Sequence, residues 1–113
     1  MRLLTFLVLI LPVALRAQPL TPTVMTPLAK SLAETSDLVR IVSGWWTLLD
    51  SGNPHVIYRI DPATGAVLHA VSVVNATNMD WEAMTTDPQW LYIGDVGNNS
   101  GARTDLRVYR VSL

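Results

Sequence analysis

Trp45, Asp50, Gly52 and Asn53 recur 45 residues later as Trp90, Asp95, Gly97 and Asn98, and "IYRI" at 57–60 returns as "VYRV" at 108–111. Glu34 faces Glu82 at a separation of 48. No other feature constrains the fold as much, because one unit of such a repeat cannot bury its apolar faces alone. A unit of about 45 residues built of three or four short strands has the size of a propeller blade.

The text between these markers is all-β. Beyond Leu38 no helical period lasts more than a turn, whereas short β-branched and aromatic runs are cut by turn signals every few residues. The expected strands are 38–42, 45–50, 56–60, 66–73, 80–86, 90–95 and 106–111, separated by "SGNP", "DPATG", "NATN", "TDPQ" and "GNNSGARTD". Residues 18–33 form a Pro-rich leader, extended except where Thr26 could cap a short helix opening at Pro27. A first blade is expected over 34–74 and three strands of a second over 75–113. That is an incomplete β-propeller of about one and three-quarter blades, following an N-terminal signal helix.

"MRLLTFLVLILPVALRAQ" has the order of a secretory signal, with Arg2, an apolar run from Leu3 to Leu11 and small residues before a cut after Ala17. The chain is therefore expected to be secreted or periplasmic, with no membrane attachment once the signal is removed. Losing Arg2 and Arg16 takes the basic count from 8 to 6 against 9 acids, a net charge of −3. With no basic patch interleaved with aromatics, nucleic acid is not an expected partner. There is no cysteine, so disulfides and thiolate metal sites are excluded. Stability must come from packing, and exposed strand edges offer a route to pairing with another chain.

Positions 46, 48 and 50 share one strand face, as do 91, 93 and 95, so each apolar face ends in an Asp. As turns, "DSGN" and "DVGN" need no function, and both glycines are expected at or near positive φ. Asp80 and Glu82 project from one face of their strand while Trp81 projects from the other. With the "TDPQ" turn centred near 87.5, partners sum to about 175, which sets Asp80 opposite Asp95 and Glu82 opposite Ile93. Neighbouring carboxylates repel unless a cation intervenes. Asp80, Glu82 and Asp95 are thus candidate ligands of a hard, oxygen-loving ion such as Ca²⁺, with an Arg contact as the alternative. His55 and His69 have no partner at a ligand spacing, and no nucleophile elbow or phosphate loop is present.

"ETSDL" at 34–38, "WTLLDSGN" at 46–53, "ATNMDWEA" at 76–83, "LYIGDVGNN" at 91–99 and "RTDLRVYR" at 103–110 resemble the blade motifs of a group of secreted bacterial β-propeller proteins, mostly of unknown function. The resemblance spans about 80 residues in uninterrupted order. It departs at Asp37, where the pattern has Gly, at Leu48 and Leu49, where it has His and Asn, and at Ala83, where it has an acid. It implies a propeller that in its relatives continues through more blades, so the chain is expected to be part of a longer one. Two functional classes follow. One is a non-enzymatic module binding an extracellular ligand or protein; the other is a Ca²⁺-assisted hydrolase.

Overall fold

The computed structural model describes residues 17–113, so the expected signal, apart from Ala17, lies outside the described residues. Seven strands follow one another: β1 Thr35–Ile41, β2 Gly44–Leu49, β3 Val56–Ile60, β4 Val67–Ser72, β5 Trp81–Thr86, β6 Trp90–Asp95 and β7 Arg107–Ser112. They form two antiparallel sheets in sequence order, β1-β2-β3-β4 and β5-β6-β7. The chain is all-β, as the alternation required. No helix opens at Thr26. The leader runs extended to a single 3-10 turn at Lys30–Leu32, because a segment this short cannot meet the cost of nucleating a helix, and burying Leu32 on the sheet holds the turn instead. Among the described residues no helix is long and apolar enough to cross a membrane.

The two sheets share one pairing scheme. Thr35, Asp37, Leu38, Val39 and Arg40 of β1 lie opposite Leu49, Leu48, Thr47, Trp46 and Trp45 of β2. Adding 46 to every number gives the β5–β6 register, in which Trp81, Ala83, Met84, Thr85 and Thr86 face Asp95, Gly94, Ile93, Tyr92 and Leu91. Each first strand carries a bulge at the matching place, Ser36 in one and Glu82 in the other. The third strands correspond at a separation of 51, since Thr47 faces Tyr58 and Ile93 faces Tyr109. The extra five residues lie in the loop between second and third strands, 50–55 in one sheet and 96–106 in the other.

This register corrects two expectations. At a spacing of 46, Asp95 occupies the place of Leu49 and not of Asp50, because "DSGN" begins just after its strand while "DVGN" begins on the last residue of its own. The β5–β6 partners sum to 176 at the start and 177 beyond the bulge. Asp95 therefore lies opposite Trp81 instead of Asp80, and Glu82 is the bulged residue. The turn sits one residue later than expected because the Asp87 carboxylate accepts the N–H groups of Gln89 and Trp90, both at 2.8 Å, closing the hairpin around Pro88 and Gln89.

Matching registers make the sheets stack head to tail. One face of the first sheet, with Trp46, Leu48 and Ile57, packs against Met84, Leu91 and Ile93 of the second, over a fully buried Trp81. On the other face of the first sheet, Trp45, Leu49, Tyr58 and Ile60 are covered by Leu32 of the leader. β2 is consequently a middle layer, with Trp46, Thr47, Leu48 and Leu49 all buried in succession. Polar ties cross the layer as well. Ser36 Oγ donates to the Trp81 carbonyl at 2.8 Å, and the Met84 N–H donates to the Asp37 carboxylate.

Candidate functional site

Carboxylates gather at the end of the sheets where β2 and β6 finish. Asp50, Asp80 and Glu82 each bring an oxygen within 4.8 Å of the other two. Asp50 comes from the loop after β2, Asp80 from the residue before β5, and Glu82 from the bulge that turns it away from the ladder. Asn78 fastens the two sheets beneath the cluster. Its Nδ2 donates to the carbonyls of Leu49 at 2.9 Å and Asp50 at 3.0 Å, while its Oδ1 accepts the Trp81 N–H at 3.0 Å. Gly97 leaves room for Asp80, because a Cβ there would overlap that carboxyl group. Gly52 has the expected positive φ, +79°, whereas Gly97 is required for this close approach and lies outside the positive-φ set.

Asp95 has a different neighbour. It is fully buried, and its Oδ1 accepts both the Asp80 N–H at 2.9 Å and Arg103 Nη1 at 2.8 Å. Arg103 reaches on to the Gly97 carbonyl and, through Nε, to Asp105 at 3.0 Å. The structure thus brings Asp80 and Glu82 together with Asp50, while Asp95 serves as the buried strut that joins the end of β6, the start of β5 and the long β6–β7 loop.

Burial raises the Asp80 pKa, and the hydrogen bond and charge of Asp50 raise it further, against the opposing pull of Arg103. Asp50 moves the other way, lowered first by the Ser51 N–H and then by its hydrogen bond with Asp80. Glu82 is raised by burial and then by the charges of Asp50 and Asp80. Asp80 Oδ1 is a buried oxygen with no protein partner. A site with three convergent carboxyls and an unbonded oxygen matches the donor chemistry of Ca²⁺.

The sequence did not place two residues of this region in the site. Asp50 was legible as a turn residue but not as a neighbour of Asp80, and Arg103 as the first residue of "RTDLRVYR" but not as the partner of Asp95, where an Arg contact was expected without a named residue. At the opposite end the sheets part around an apolar cleft of about 500 Å³ lined by Trp46, Ile57, Leu91 and Val111, without an acidic or basic side chain. No family model, curated protein or solved structure matches the chain.

Proposed function

We propose that the chain is an exported, propeller-type repeat module that binds an extracellular ligand or protein through the carboxylate end of its sheets, with a weak Ca²⁺ site ordering that end. The repeat reading is supported by the shared register and bulge of the two sheets, and the blade motifs support the propeller. Export is supported by the N-terminal signal pattern. The observation that carries the binding site is the convergence of Asp50, Asp80 and Glu82 from both sheets. Because the ligands span the two sheets, an ion there would fix the sheets and their loops relative to one another.

Calorimetric titration of the full chain with CaCl₂ tests the site. The expected Kd lies in the range of about 10⁻⁴ to 10⁻³ M that is typical of extracellular modules. Affinity should rise with pH above the ordinary carboxylate value of 3.8, because burial and Asp50 raise the Asp80 pKa and the ion competes with protons for that carboxylate. Asp80→Asn should abolish the heat of binding. Equal heats for the two proteins at neutral pH would remove the ion from the proposal.

The same variant tests the apo protein. A carboxyl whose folded pKa is raised opposes folding once pH climbs through the unfolded value, so its unfavourable contribution is absent below 3.8 and complete above the raised value. Without calcium, Asp80→Asn should therefore be more stable than the parent at neutral pH, and this advantage should shrink on acidification. Urea midpoints at two pH values measure it, and an advantage that grows on acidification would refute the assignment. The hydrolase reading draws on the same cluster, with Glu82 as a carboxyl whose pKa burial raises. Calcium-dependent turnover lost in Glu82→Gln would replace the binding reading with it.

A further inference from the structure

The two sheets stack through non-equivalent faces, and the equivalent of each half of that interface remains on the outside of the molecule. At the spacings of 46 and 51, the face that the second sheet turns to the first is the face that the first sheet turns to the leader, with Leu91, Tyr109 and Val111 in the places of Trp45, Tyr58 and Ile60. On the far side of the second sheet, Tyr92 and Val108 stand in the places of Trp46 and Ile57, by which the first sheet receives the second, while Thr85, Asp87 and Gly94 stand in those of Val39, Ile41 and Leu48. Among the described residues nothing covers that side, and Val108 is 63% exposed. An interface of this head-to-tail kind is complementary between copies and does not close on itself in a pair.

The leader fills the other half loosely. Leu32 is buried there, yet Met25 and Leu28 bridge a gap of about 220 Å³ over Leu38, Trp45 and Ile60, and Met25 is largely exposed. One backbone hydrogen bond, Ala29 N–H to Gly65 O at 3.0 Å, ties the leader to the β3–β4 turn. That turn admits the leader because residue 65 is Gly, where a Cβ would overlap the Pro27 carbonyl.

We propose that residues 25–32 are a displaceable plug, and that the face beneath them docks the open face of the second sheet of another copy of this chain. The occupant follows from continuity with the interface already formed between the two sheets. Its strength follows from one residue. Asp37 ties the first sheet to the next by accepting the Met84 N–H, and the residue in its place on the second sheet is Ala83. The tie between copies is therefore missing, and Ala83→Asp should supply an acceptor for the Leu38 N–H of the other copy in place of that copy's own Asp37 Oδ1. The inference rests on the shared register, which is also part of the repeat reading, and not on the cation. A failed calcium titration leaves it standing, and a failed association leaves the calcium site standing.

Sedimentation of the full chain, without added metal, tests the proposal. The parent chain is expected to be monomeric. Leu28→Asp combined with Leu32→Asp should release the plug and give concentration-dependent association, which the added substitution Val108→Glu abolishes and a synthetic peptide of residues 20–33 reverses. Association indifferent to Val108→Glu, or a folded double variant that stays monomeric, would overturn it. Should the double variant lose its β-sheet signal, Ala83→Asp in the otherwise unsubstituted chain decides. Association with Ala29 amide exchange accelerated about a hundredfold supports the proposal, and a monomer overturns it.

Discussion

Replacing Arg103 by alanine is expected to destabilise the chain by about 3–5 kcal/mol, the usual consequence of stranding a buried charge. Asp95 is fully buried, and Arg103 is the one cation that meets its carboxylate among the described residues. The substitution also strips the Gly97 carbonyl of its donor and frees the loop that Arg103 pins through Asp105. In a domain whose whole stability is about 5–15 kcal/mol, that loss is a large share. Asp95→Asn should cost less, because it removes the charge along with the need to balance it, and Asp95→Asn with Arg103→Met should recover part of the Arg103→Ala loss. Urea denaturation of the three proteins provides the comparison. An Arg103→Ala loss below about 1 kcal/mol, the range of exposed ion pairs, would mean the pair is no buried strut.

Trp81→Ala is expected to cost about 3–5 kcal/mol as well, by a different mechanism. The side chain is fully buried between the sheets, its Nε1 donates to the Thr77 carbonyl at 2.9 Å, and its ring lies 6.1 Å from that of Tyr109 at a 56° tilt. Truncation leaves a cavity in a layer both sheets need, so the loss should appear as one cooperative transition shifted to lower denaturant. Trp90 is the control. It is half-buried on the far side of the second sheet with Arg110 stacked 4.2 Å from its ring centre, and Trp90→Ala should cost about 1 kcal/mol. Similar losses for the two tryptophans would contradict the placement of the core.

Strand identity was legible because it is local. Alternation such as "WLYIGD" and turn chemistry such as "DPATG" and "TDPQ" act within a few residues, and all seven strands lie where those signals put them, though β1 begins at Thr35, three residues early, because its bulge at Ser36 breaks the apolar pattern. The match of "DSGN" to "DVGN" was real as text and misplaced by one residue as structure. A turn motif reports that a strand is ending; it does not report on which residue.

Register and the composition of the carboxylate cluster were settled only in three dimensions. A shift of one residue turns a side chain to the opposite face of a sheet, and here it was decided by the bulge at Glu82, by Asp87 setting the hairpin turn, and by loops of unequal length. Asp50 joins Asp80 across 30 positions because Asn78 pulls the end of β2 to the start of β5. Arg103 meets Asp95 because a polar loop folds back over a buried carboxylate. The sequence by itself determined an all-β chain of short antiparallel strands whose acids lie near strand ends, since propensity, alternation and turn chemistry are local terms. Tertiary structure decided which acids converge, which one is held by a cation and which faces stack, because those depend on packing between residues that no short-range pattern connects.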